Sequence, residues 1–300
     1  MSAVVDWSVK PIPVRDDGLV GTLFLPSTPP PHPVVITLGG SAPGVFTPPA
    51  IMLASNGIAA FALAYFGLEG LPATLNRIPL EYFLKAIRWC EGHRDLRPNA
   101  IAVAGSSRGG ELALLLAATF PKIIGVVGWS ASGLLYGGLD AKASSPLPAW
   151  CYGGRDLPFA LADREAVDWN HRPIRMTPGF LDGLSDKEAT KAAEIPVERI
   201  NGPVLLISGG DDQLWPSSIL SETAMQRLRS HNHRYRFEHL CYKDAGHTIG
   251  TPFAAPATTH FPHPVLGLDF EMGGTVDANR KASADSWQHV IDFFRECFES

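Results

Sequence analysis

Charged side chains are scarce in this chain. They make up 18% of its 300 residues, against the ~25% usual in soluble domains. The formal net charge is −5. A general nucleic-acid surface needs clustered Lys and Arg and is excluded by this balance, which still leaves room for a small basic patch. Cysteine is sparse as well. Cys90, Cys151, Cys241 and Cys297 are widely spaced and form no metal-ligand cluster, so they read as core or incidental residues. The N-terminus lacks the basic start and apolar core of a secretory signal. No apolar run approaches the ~20 residues that span a bilayer. A cytoplasmic, soluble protein with no membrane span is expected. Two nucleotide motifs are missing too. The turn Gly39-Gly40-Ser41-Ala42-Pro43-Gly44 is followed by no G-K-[ST], and it does not fit G-x-G-x-x-G.

What is present is apolar: 45% of the chain, enough at this length for a substantial core without staples. Asp16-Asp17-Gly18 reads as the turn of an opening hairpin, with a strand over 19–25. Continuous apolar runs at 34–38, 58–65, 101–104, 123–127 and 203–208 read as buried parallel strands. Helical patterns separate them at 49–55, 80–89, 112–118 and 221–228. A last strand is expected over 235–242, a loop over 251–279, and an amphipathic helix over 281–298. This alternation predicts an open, mostly parallel central sheet with helices on both faces. Residues 131–195 break the rhythm. They read as a lid inserted in one α/β domain spanning 1–300, with short helices over 157–166 and 186–193. Trp150, Tyr152, Phe159 and Trp169 are its candidates for lining an acyl pocket or for simple packing.

The segment from Ile101 to Glu111 contains Gly105-Ser106-Ser107-Arg108-Gly109, the G-x-S-x-G pattern of a nucleophile elbow between strand and helix. The pattern selects Ser107 and not Ser106. Gly105 and Gly109 leave room for close backbone packing. The N–H of Arg108 is expected to face a developing oxyanion. A second donor is expected from Gly40 or Ser41, in a loop that also reads as a tight strand-to-helix turn. Glu111 either holds the loop or faces solvent.

An acid and a histidine follow in chain order. Asp212 lies just beyond the strand at 203–208, with Asp211 and Asp244 as rivals, and His247 lies beyond the last strand. Ser, Asp, His is the order of α/β-hydrolase triads, so an α/β-hydrolase fold is expected. In that arrangement His247 takes the Ser107 proton and Asp212 orients the imidazole. Such chemistry needs no metal or organic cofactor. His231, His233 and His239 lie near one another without a carboxylate pattern that makes a metal site. His260 and His263 are candidates for the pocket rim.

Several segments together resemble the catalytic domain of the acyl-CoA thioester hydrolase and bile acid-CoA:amino acid N-acyltransferase family. They are Leu53 to Ile58, Leu63-Ala64-Tyr65-Phe66, Glu81-Tyr82-Phe83, Gly105 to Glu111, Gly209 to Ser217 and Ala245-Gly246-His247. The likeness covers residues 34–298. It implies Ser107 as nucleophile, Asp212 as acid and His247 as base. Serine, where the acyltransferases of the family use cysteine, implies transfer to water. Mammalian-type members carry a β-sandwich domain ahead of the catalytic one. Only about thirty residues precede the first buried strand here, so that domain is expected to be missing. Arg155, Arg164, Arg172 and Arg175 are the candidates for coenzyme A phosphates.

The expected activity is hydrolysis of an acyl thioester, with a small-molecule acyl ester or thioester as partner. A carboxylesterase or lactone hydrolase, an acyltransferase to a metabolite, and an inactive binding protein of the same fold are the alternatives. Acyl length and oligomeric state are open.

Overall fold

Short apolar runs separated by helix-forming segments give the chain an eight-stranded sheet in a computed structural model that describes residues 9–140, 142, 144–250 and 258–299. Its strands are β1 (Pro11–Val14), β2 (Val20–Phe24), β3 (His32–Leu38), β4 (Ala59–Ala64), β5 (Leu96–Ser106), β6 (Ile123–Trp129), β7 (Val204–Gly209) and β8 (Phe237–Tyr242). Their order across the sheet is β1-β2-β4-β3-β5-β6-β7-β8. β1 pairs antiparallel with β2, and β2 antiparallel with β4. Every pairing from β4 to β8 is parallel. This is the α/β-hydrolase fold, as the alternation of apolar runs and helices predicts.

Side chains alternate across the strands, so each strand feeds two cores. Val34, Ile36 and Leu38 of β3 pack on one face with the helices Leu80–Gly92 and Arg108–Thr119. Val35 packs on the other with the helices Pro48–Ser55 and Val276–Glu299. The helix Arg108–Thr119 is buried on all sides through Ala118, which explains its lack of a polar stripe. It stops at Phe120, ahead of Pro121, because proline cannot continue the backbone ladder. Among the described residues, no helix is long and apolar enough to cross a membrane.

The segment 131–195 lies between β6 and β7. It holds a small hairpin, Trp150–Tyr152 with Arg155–Asp156, whose first strand pairs with Ile78–Pro79. A short helix covers Lys187–Ala192, capped by the Asp186 carboxylate on Ala189 N. The helix expected over 157–166 does not form. Pro158 removes an amide there, and Ala160 instead bridges Tyr136, with its N–H on Leu135 O. The helix of this region lies later, at Thr177–Gly183.

The loop expected over 251–279 is corrected in its later part; 251–257 lies outside the described residues. His260–Pro262 and Asp269–Glu271 form an antiparallel pair. The last helix begins at Val276, five residues earlier than its apolar stripe suggests. Thr275 Oγ1 accepts from Ala278 N and so caps it. The helix expected over 80–89 runs on to Gly92, and β5, expected from the apolar run at 101–104, already starts at Leu96.

Candidate active site

Ser107 stands between the end of β5 and the first residue of the helix Arg108–Thr119. Its φ of 57° and ψ of −122° fall where a side-chain-bearing residue is strained, as an elbow serine is. Two glycines make the turn possible. A Cβ on Gly105 would stand 2.0 Å from Gly109 O, and one on Gly109 would stand 2.3 Å from Gly39 O. The Ser107 amide donates to Trp129 O at 2.8 Å. Arg108 opens the helix, so its N–H belongs to a helix N-terminus, which favours negative charge nearby.

Asp212 and His247 meet directly. His247 Nδ1 lies 2.8 Å from Asp212 Oδ2, and both residues are buried. An ionised carboxylate only accepts, so the hydrogen sits on Nδ1 and Nε2 is left as the basic nitrogen. The other oxygen, Asp212 Oδ1, accepts from Leu214 N at 3.0 Å and Trp215 N at 3.2 Å. Asp211 turns away, accepting from Gln213 Nε2 and Gly274 N, and Asp244 is exposed. His247 is held by its own backbone: its N–H donates to Met272 O, and its carbonyl accepts from Ser130 Oγ at 2.9 Å. A Cβ on Gly246 would stand 2.3 Å from Met272 O and Gly273 O, so only glycine fits ahead of the histidine.

Ser107 joins this pair through the backbone. Its amide bonds to Trp129, and the next residue, Ser130, carries the bond to His247. Among the described residues, the Ser107 hydroxyl forms no hydrogen bond with His247.

Gly40 packs against the elbow. A Cβ there would lie 3.3 Å from Ser107 Cβ and 3.8 Å from Ser107 Oγ. Tyr65, which reads in the sequence as the end of a buried strand, donates to Gly39 O at 2.6 Å and Gly40 O at 2.9 Å. Burial pushes its phenol well above the ordinary tyrosine range, so it remains a donor. In a trans peptide the carbonyl and the following N–H point to opposite sides. The carbonyls of residues 39 and 40 face Tyr65, so the N–H groups of Gly40 and Ser41 are turned away from it. The Ser41 hydroxyl lies 3.0 Å from His263 Nε2.

Behind the elbow, Arg108 and Glu111 form a buried ion pair of 2.8 Å. Arg108 also donates to Tyr136 O and Gly137 O. Glu111 accepts from Trp150 Nε1 at 2.7 Å and Tyr136 N at 3.3 Å. Burial pushes the Glu111 carboxyl up to about 7, with Arg108 opposing. Of the two readings of Glu111, the buried one holds.

The aromatic candidates of the insert separate. Trp150 is core, Tyr152 is 41% exposed, and Trp169 stacks under Arg164. The four arginines do not all meet: Arg164 and Arg172 share Trp169 as a neighbour, and the other two lie apart from it by their contacts. Arg175 pairs with Glu271, Arg172 donates to Trp169 O, Arg164 lies over Trp169, and Arg155 is exposed. His231, His233 and His239 turn to separate partners, Arg227 O, Gly202 O and Ser208 Oγ. His260 is exposed, beside Asp269.

The family model described as BAAT / Acyl-CoA thioester hydrolase C terminal matches residues 78–300. The chain belongs to this family. Within the BAAT / acyl-CoA thioester hydrolase family, it is 32% identical over 292 residues to acyl-coenzyme A thioesterase 2, mitochondrial, of Rattus norvegicus. That match covers 96% of this chain and 60% of the relative. It is 33% identical over 290 residues to acyl-coenzyme A thioesterase 6 of Homo sapiens, over 96% of this chain and 65% of that protein. The chain thus spans less than two thirds of the length of these curated relatives. Among solved structures it is similar to a Mycobacterium tuberculosis puromycin-hydrolyzing peptidase. The TM-score is 0.60 at 15% identity, covering 98% of this chain and 40% of the other. It is also similar to a dienelactone hydrolase-like promiscuous phosphotriesterase from metagenomic libraries. There the TM-score is 0.52 at 17% identity, covering 97% and 98%. At these identities the solved structures support the fold alone.

Proposed function

We propose that this chain hydrolyses an acyl thioester of the acyl-CoA type through an acyl-enzyme on Ser107. The observation that carries the reading is the buried 2.8 Å contact between His247 Nδ1 and Asp212 Oδ2, at the same end of the sheet as a serine in a left-handed elbow. Membership of the thioester hydrolase family supports the choice of substrate, as do the relatives named acyl-coenzyme A thioesterases.

In this reading His247 Nε2 takes the Ser107 proton while Oγ adds to the thioester carbonyl carbon. The oxyanion is met by the N–H of Arg108 and that of Gly40 or Ser41. The carbon–sulfur bond breaks, and His247 gives its proton to the departing thiolate. Water then adds to the acyl-enzyme with its proton passing to His247. The Ser107 oxygen leaves, regains a proton from His247, and the carboxylic acid is released. Asp212 keeps the imidazole in the working tautomer and stabilises its charged form.

The 131–195 segment acts as the cover of a single α/β domain, a reading supported by its anchorage to the elbow through Arg108 and Glu111. Its setting is read as cytoplasmic, which suits four cysteines that are all free thiols.

The test is thiol release from a panel of acyl-CoA substrates, with oxygen esters beside them, by wild type and Ser107→Ala. Loss of thioester turnover in the variant supports the reading. Equal turnover in both proteins overturns the role of Ser107. Oxygen-ester turnover far above thioester turnover overturns the substrate class.

A further inference from the structure

Ser41 adjoins Gly40, the residue packed on the elbow serine, and its hydroxyl is 3.0 Å from His263 Nε2. The direction of that bond follows from the far side of the ring. His263 Nδ1 accepts from two backbone amides, Val265 N at 3.2 Å and Leu266 N at 3.3 Å. An accepting ring nitrogen carries no hydrogen, so the neutral ring has its hydrogen on Nε2. Nε2 therefore donates, and Ser41 Oγ accepts. A charged ring would set an N–H against those two amides. Burial already holds His263 below the ordinary histidine value. The ring has little freedom: it meets Phe261 and Phe270 edge-to-face at centroid distances of 5.9 and 6.1 Å. Its backbone is tied by His263 N to Leu268 O and by Gly267 N to His263 O.

A hydroxyl that accepts from one neighbour keeps its own hydrogen to give to another. We propose that the Ser41 side chain is a further donor to the acyl oxygen of the substrate, and that His263 is the positioning residue that sets its direction. The inference rests on the Ser107 reading above. Negative charge builds on the acyl oxygen when Ser107 attacks. The Ser41 hydroxyl then donates beside the main-chain amides, and its proton stays on Ser41 throughout. Donation from His263 polarises the hydroxyl and strengthens it as a donor. His263 touches no reacting atom.

Acyl-CoA hydrolysis by wild type, Ser41→Ala, His263→Asn, His263→Gln, the Ser41→Ala/His263→Asn double variant and Ser107→Ala tests this. Asparagine keeps an acceptor near the Nδ1 position and removes the donor; glutamine returns an N–H near the Nε2 position. Ser41→Ala should lower kcat about tenfold or more, with KM within about twofold, since the donor acts mainly in the transition state. His263→Asn should lower kcat similarly, and His263→Gln should recover part of the loss. The double variant should be no slower than Ser41→Ala alone, because His263 works through Ser41. Thermal midpoints identify any variant that fails to fold, and Ser41→Ala then carries the test. Wild-type kcat in Ser41→Ala overturns the inference, and so does a double variant slowed by the product of the single losses. An inactive Ser107→Ala beside a fully active Ser41→Ala defeats only this inference, whereas a fully active Ser107→Ala defeats the reading beneath it.

Discussion

The indole Nε1 of Trp150 donates a 2.7 Å hydrogen bond to Glu111 Oε1. Glu111 sits in the first turn of the elbow helix, and Trp150 in the segment inserted between β6 and β7. Trp150→Phe removes the donor and leaves a buried carboxylate oxygen short of a partner, which should cost about 1–3 kcal/mol. Glu111→Ala leaves the Arg108 charge buried without its counter-ion, a larger loss of about 3–5 kcal/mol. Urea denaturation measures both. Wild-type stability in the two variants would contradict the anchorage.

The same carboxyl predicts a pH dependence. Its folded value is about 7 against an ordinary 4.5. Between those values the folded protein holds more of this proton than the unfolded chain does. Stability from this group is therefore highest below about 4.5, falls as pH rises, and levels off above about 7. The slope cannot exceed about 1.4 kcal/mol per pH unit for one proton. Denaturation of wild type and Glu111→Gln at several pH values should show the variant gaining on the wild type across that window. A constant difference would contradict the assignment.

Asp212→Asn should reduce kcat by roughly 10³–10⁴-fold with little change in KM, because the amide can hold the imidazole in the wrong tautomer. Asp211→Asn should stay within about tenfold of wild type, since Asp211 reaches Gln213 and Gly274 and not the imidazole. Steady-state kinetics of the pair decides which aspartate serves His247. The reverse ranking would contradict the site.

Tyr65→Phe removes the donor shared by the carbonyls of Gly39 and Gly40. Stability should fall by about 1 kcal/mol. The turned peptides also lose their anchor, and kcat should fall about tenfold as donor alignment loosens. Denaturation and kinetics read the two effects separately. An unchanged kcat would show that the loop keeps its direction without the phenol.

The strands and the order of Ser107, Asp212 and His247 were legible because each signal is local. The β3 and β4 strands are short apolar runs, the elbow is one five-residue pattern, and Asp212 and His247 each directly follow a strand. The choice of Asp212 over Asp211 was not local. It depends on which carboxylate the turn at 212–215 directs inward, and the family likeness supplied it. The contacts of Tyr65, and of His263 beyond its place as a rim candidate, are not local either. Tyr65 ends an apolar run and looks like core, while its acceptors lie 25 and 26 residues earlier. His263 finds Ser41 across 222 residues, and nothing near either residue marks the pairing. The stretch 157–166 misled because its composition suits a helix, whereas its backbone is used by Leu135 and Gly137. Thr275, by contrast, is a visible cap signal that the apolar stripe beginning later concealed.

The most direct measurement of the central claim is rapid-quench mass spectrometry of the protein mixed with an acyl-CoA, followed by peptide mapping. The account predicts a transient mass gain equal to the acyl group, carried by the peptide holding Ser107 and formed before the free acid. Turnover with no acyl adduct on that peptide, or with the adduct on another residue, would contradict it.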